Sequence, residues 1–221
     1  MARLRYEDEL RGLRTSVIEE LKLVTAQLGR AIEALERCDP ALASEVVDGD
    51  EEVDRRYGAL QTDLVSLIAR QAPVASDLRL ITALLHVSRM IERMGDQCVN
   101  VAKLVPVGGA VPPRAGELRD GLLQMGREAL QLAREAAAAL PEGGLDCAEA
   151  LAERDSEVND LNRQCFTRAI ELGDDEDARA WATAMILVAR AFERIGDNAV
   201  DIAAHMRFAA TGTFEPRTAP A

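Results

Sequence analysis

The stretch Arg89-Met90-Ile91-Glu92-Arg93-Met94-Gly95-Asp96-Gln97-Cys98-Val99-Asn100-Val101-Ala102 decides the fold, because the chain writes it twice. It returns 101 residues later as Arg190-Ala191-Phe192-Glu193-Arg194-Ile195-Gly196-Asp197-Asn198-Ala199-Val200-Asp201-Ile202-Ala203. The same acidic pattern at matching places in two halves marks a duplicated helical unit. A duplication of that kind sets the architecture before any single residue does.

Working outward, the apolar residues around both copies keep a helical period. Leu84, Val87, Ile91, Met94, Cys98, Val101 and Val105 step by three and four, and Met185, Val188, Phe192, Ile195, Ala199, Ile202 and Met206 repeat them. Earlier seams run through Leu10, Leu13, Val17, Leu21, Val24, Leu28 and Leu35, and through Val46, Val53, Tyr57, Leu60, Leu64 and Leu67. Breakers divide these runs at Asp39-Pro40, Gln71-Ala72-Pro73, Pro141-Glu142-Gly143-Gly144 and Leu172-Gly173-Asp174-Asp175. The pattern predicts an all-α fold: six helices arranged as two tandem three-helix bundles with a pseudo-twofold internal repeat. The first repeat is expected over residues 1–105, a non-helical Pro/Gly connector over 106–114, the second repeat over 115–208 and a flexible tail over 209–221.

Composition agrees. Apolar residues make up 48% of the 221, enough to bury a real core, while aromatics are only 3% and strand-like alternation is hard to find. The net charge of −12 argues against nucleic-acid binding, which needs a basic footprint. No run of eighteen apolar residues exists to span a membrane, and the first ten residues lack the apolar core of a signal peptide. Cys38, Cys98, Cys147 and Cys165 form no Cys-x-x-Cys pair, which fits free thiols in a reducing cytoplasm.

The chemistry lies in a carboxylate stripe. Glu92, Asp96 and Asn100 stand at i, i+4 and i+8, as do Glu193, Asp197 and Asp201. Four residues turn a helix by about 400°, so each set shares one narrow face beside the apolar seam. One helix earlier in each half, Asp50 and Asp54 form one acidic pair, and Asp155 and Asn159 form its counterpart. In an antiparallel hairpin these stripes converge.

Two like charges about 4 Å apart repel by roughly 4 kcal/mol at an effective dielectric near 20. The acids must therefore be solvated, paired with Arg89, Arg93, Arg190 and Arg194, protonated, or held by a cation. For one copy of the stripe, solvation is the better account. Two copies, each with a partner pair, shift the balance toward metal ligation by Asp50, Asp54, Glu92, Asp96, Asn100, Asp155, Asn159, Glu193, Asp197 and Asp201. Oxygen donors without thiolate favour Mg²⁺, Ca²⁺, Mn²⁺ or iron over a sulfur-bound structural zinc. Small residues at Ser88, Gly95 and Ala102, matched by Ala189, Gly196 and Ala203, suggest that a helix or ligand comes close on this face. His205 continues the Asp197–Asp201 face by four residues but has no counterpart in the first half, and His86 is off the stripe, so ordinary packing suits both.

At these residues the sequence resembles the PhoU family of phosphate-signalling proteins. The motifs are Arg-x-x-Glu-Arg-[Met/Ile]-Gly-Asp in both halves and Gln71-Ala72-Pro73-Val74-Ala75-Ser76-Asp77-Leu78-Arg79 leading into the third helix. Together with the two-repeat layout they cover about residues 1–208. The resemblance implies two three-helix bundles. For some members it implies multinuclear iron or zinc clusters on the Glu/Asp stripes, and for others Mg²⁺ or no transition metal. It further implies a cytoplasmic regulator without enzymatic activity, often dimeric, reaching the membrane only through protein partners. That regulator restrains the phosphate-specific ABC transporter, through its ATPase subunit, and the sensor histidine kinase of the phosphate regulon. Asn100 and Asn159 depart from the motif, where a carboxylate is expected, so the two halves are expected to bind metal unequally. A helical accessory of a low-affinity phosphate permease is the alternative. A carboxylate-bridged dimetal enzyme is disfavoured because no Glu has a His three residues later. There is no Walker-type phosphate loop, no plausible triad and no evident basic pocket for free phosphate.

Overall fold

A computed structural model describes residues 2–109, 111–112, 115–142, 148–172 and 176–214. Among these residues every regular element is helical, with no strand. The helices are α1 (Ala2–Arg37), α2 (Pro40–Asp48), α3 (Asp50–Gln71), α4 (Ala75–Gly108), α5 (Gly116–Ala139), α6 (Ala148–Glu171) and α7 (Glu176–Thr211). A 3-10 turn, Leu140–Glu142, follows α5. The six long helices form the two expected bundles: α1, α3 and α4 in the first lobe, and α5, α6 and α7 in the second. The lobes join most extensively through α4 on α7, the two helices that carry the repeated motif, with α1 against α5 beside them.

Local chemistry explains most boundaries. Asp39 caps α2, accepting hydrogen bonds from the amides of Ala41 (2.9 Å) and Leu42 (3.2 Å), with Pro40 at the first helical position. Ala72 ends α3 in the left-handed region (φ 43°), donating its N–H to Ile68 O ahead of Pro73. All seven seam residues of α4 and all seven of α7 are buried, and a single apolar core runs through both lobes.

Three expectations are corrected. The seam from Val46 to Leu67 belongs to two helices, not one, because Gly49 gives up the helix and Asp50, Glu51 and Glu52 start a new one at its positive end. The connector is helical in its first residues, since α4 passes through Pro106 to Gly108. A proline in the last turn forfeits one backbone bond, while buried Val105 anchors the turn until Gly109 (φ 59°) ends it. The expected tail is helical in its first residues: α7 runs to Thr211, Gly212 (φ 80°) turns the chain, and Phe214 packs on His205 (5.5 Å) and Phe208 (6.0 Å). The breakers at residues 143–144 and 173–175, Cys147 and the tail beyond Phe214 lie outside the described residues.

Candidate functional site

In the first lobe α3 and α4 do bring their acids together. A Cβ placed on Gly95 would stand 3.1 Å from Asp50 Oδ1 and 3.3 Å from Val53, so the glycine admits the carboxylate to the surface of α4. The half-buried Asp50 carboxyl is held above the usual carboxylate range. Burial is the main cause, a hydrogen bond from Gln27 opposes it, and the charges of Asp54 and Asp96 reinforce it. Glu92 is likewise raised, by burial first and then by Asp96, with Arg89 opposing and Asp54 adding to the repulsion. Asp54 and Asp96 are exposed at the rim. Asn100 is exposed too and turned aside, its amide donating to Gln97 (3.4 Å), so the structure does not bring it to the acids.

The second lobe repeats the arrangement more tightly. A Cβ on Gly196 would stand 2.6 Å from Asp155 Oδ1. Asp155 is 2% exposed and its Oδ2 accepts from Asn159 Nδ2 at 3.1 Å. Glu193 is buried and raised, by burial first and then by Asp197, with Arg190 opposing. Asp197 and Asp201 follow it, half-buried, along α7.

The two glutamates share one electrostatic situation. Arg89 donates to Glu92 Oε1 at 2.8 Å and Arg190 donates to Glu193 Oε1, each from three residues earlier. The other oxygen, Oε2, is in both cases buried and accepts no hydrogen bond. A buried oxygen of an ionised carboxylate without a donor is costly, and a cation is the natural complement. Sequence reasoning missed two members of this site, Glu20 and Gln27 on α1. Gln27 Nε2 donates to Val46 O (3.1 Å) and to Asp50 Oδ1 (3.3 Å), tying α1 to the acids. The signal was available: Val17, Glu20, Val24 and Gln27 step by three and four, which puts two polar side chains inside an apolar seam.

The donors fit a cation in chemistry, though not as a ready cage. Among the described residues no three acidic, His or Cys side chains converge on one metal position. The oxygens are spread along neighbouring helices, an arrangement suited to a cation that keeps several waters and takes one or two carboxylates, as Mg²⁺ does. His205 stands apart from the acids. It stacks on His86 across the lobes, 4.8 Å between ring centres, and its pKa is lowered by burial and then by His86.

The PhoU domain, as a family profile, matches residues 17–105 and 122–206, one copy on each lobe. The chain belongs to the PhoU family. It is 30% identical over 212 residues to the phosphate-specific transport system accessory protein PhoU homolog 2 of Mycobacterium tuberculosis, covering 96% of this chain and 99% of that protein. Against the corresponding PhoU homolog of Zymomonas mobilis it is 32% identical over 219 residues, covering 96% and 89% respectively. The crystal structure of PhoU from Pseudomonas aeruginosa superposes with a TM-score of 0.87 at 27% identity, over 94% of this chain and all of that one. The PhoU structure from Streptococcus pneumoniae, at 22% identity and a TM-score of 0.87, shares the fold. The relatives are named as accessory proteins of the phosphate-specific transport system. Among the described residues no helix is long and apolar enough to cross a membrane.

Proposed function

We propose that this protein is a non-enzymatic regulator of phosphate uptake. It docks on the ATPase subunit of a phosphate-specific ABC transporter and on the sensor histidine kinase of the phosphate regulon, restraining both when phosphate is plentiful. The observation that carries this reading is the match of both lobes to the PhoU domain, with relatives over nearly the full length named as accessory proteins of the phosphate-specific transport system. It acts in the cytoplasm as a homodimer and meets the membrane only through these partners.

Each lobe carries a hydrated divalent cation, Mg²⁺ or Mn²⁺, beside its acids. Asp50, Asp54, Glu92 and Asp96 serve the first lobe, and Asp155, Asn159, Glu193, Asp197 and Asp201 the second. Support comes from the unpartnered Oε2 of Glu92 and of Glu193 and from the glycine that lets an aspartate approach each stripe. Multinuclear iron or zinc clusters, which the family resemblance implies for some members, suit a tighter convergence of donors than these acids have. The cation relieves repulsion between neighbouring helices and so fixes the angle at which they present a docking surface.

Deleting the gene in its own host tests the regulatory role. Phosphate uptake and regulon expression rise in phosphate-rich medium if the role is right, and unchanged uptake and expression contradict it. Asp96→Ala with Asp197→Ala tests the cations when metal content and kinase binding are measured together. Unchanged metal content removes the ligand assignment, and lost metal with normal kinase binding separates the cation from docking.

A further inference from the structure

Glu20 lies on α1, outside the repeated motif, in the middle of the first lobe. It is 0% exposed, and neither of its carboxylate oxygens has a hydrogen-bond partner. The protein therefore satisfies neither form of the group. The ionised acid lacks donors, and the neutral acid lacks an acceptor for its proton. The charges that act on it are those of Arg56 on α3, which opposes, and Glu92 on α4, which adds.

Two turns along the same face of α1 stands Gln27, 7% exposed, whose amide nitrogen holds Asp50 while its Oε1 accepts nothing. That Oε1 lies 3.6 Å from the Cβ position of Gly95. With Glu92 Oε2, α1 and α4 thus carry four buried oxygens with no donor. Such oxygens call for a positive ion among them.

The second lobe lacks this third wall. At Gly196, the counterpart of Gly95, the neighbour from the corresponding helix is Leu132 Cδ1 at 3.4 Å. Leu132 thus occupies the place of Gln27, and seven residues earlier Met125, fully buried, occupies the place of Glu20. A methyl and a thioether offer nothing to a hard cation.

We propose that Glu20 is a cation ligand present only in the first lobe, so that the two sets of acids form one tight and one weak site for a hard divalent cation. This rests on the metal reading above. Ligand charge count tunes the affinity of oxygen sites for such ions. The first lobe has five carboxylates on three helices, and the second has four on two, with Asn159 already engaged by Asp155.

The test is a Mn²⁺ titration of the full-length, chelator-stripped protein, followed by electron paramagnetic resonance. Wild type should show two classes of site. Glu20→Gln, and Glu20→Met, which copies the second lobe, should each weaken the tight class roughly tenfold or more. Asp197→Asn should weaken only the other class. Circular dichroism checks that every variant is folded, and the two Glu20 variants guard against a defect peculiar to either. Tight binding unchanged in both overturns the role of Glu20 while leaving the metal reading intact. Absence of Mn²⁺ binding by wild type overturns both.

Discussion

Gly196 and Asp155 meet across α7 and α6 with no room for a side chain between them: a Cβ on the glycine would stand 2.6 Å from the aspartate oxygen. Real Cβ atoms do not come so close to a neighbour. The glycine lies inside a helix, where it costs about 1 kcal/mol relative to alanine. It is kept because the buried carboxylate needs the space.

Gly196→Ala should therefore destabilise the protein by roughly 1–3 kcal/mol, since overpacking outweighs the gain in helix propensity. Gly12→Ala is the control. Gly12 is an exposed α1 residue with nothing within 4 Å of its Cβ position, so alanine should stabilise there by about 0.5–1 kcal/mol. Chemical denaturation of the two variants should give opposite signs. Two stabilising substitutions would contradict the close approach at Gly196.

Metal-free Glu20 should make stability fall as pH rises. Burial, above all, lifts its pKa from 4.5 to about 8; the charge of Arg56 opposes the shift and that of Glu92 adds to it. Between those two values the folded chain holds a proton that the unfolded chain has released, so raising the pH favours unfolding. Near pH 7 the cost is about 3 kcal/mol. In the presence of a chelator, Glu20→Gln should be more stable than wild type at pH 7 by an amount of that order, and the difference should vanish below pH 4.5. Urea titrations across pH 4 to 8 measure it, and a gap that does not widen with pH would refute the assignment.

Adding Mg²⁺ or Mn²⁺ should raise the melting temperature of wild type, because an ion that binds only the folded chain stabilises it by about 2.7 kcal/mol at a hundred times its dissociation constant. The combined variant Asp96→Asn with Asp197→Asn should lose most of that response in differential scanning calorimetry. An equal rise in both proteins would place the ions elsewhere.

Thiol reactivity should divide the cysteines by burial. Cys38 is exposed, whereas Cys98 and Cys165 are buried and burial pushes both thiols up, that of Cys165 to about 11. Among these three, a maleimide should label Cys38 in the native protein and reach the others only after unfolding. Mass spectrometry of the labelled peptides decides it.

Much of this was legible in the sequence because it is periodic. The repeated motif gave the two lobes, and every α4 and α7 seam residue read from steps of three and four is buried. The glycines at 95 and 196 marked a close approach, and the structure shows what approaches: Asp50 and Asp155. Glu20 and Gln27 were missed because they sit on a helix without the motif. Their meaning depends on α3 and α4, distant in sequence, packing over them. Asn100 illustrates the reverse case, since its spacing alone put it on the stripe but its position at the exposed edge let it turn to Gln97. Pro106 failed as a helix breaker for a similar reason: tertiary packing at Val105 outweighed a local preference.

The proposed cation in each lobe is open to direct observation by anomalous diffraction from crystals of the full-length protein grown with Mn²⁺. A peak is expected beside Asp50, Glu92 and Asp96, and a weaker one beside Asp155, Glu193 and Asp197. Well-diffracting crystals with no anomalous peak beside either set of acids would rule the cations out.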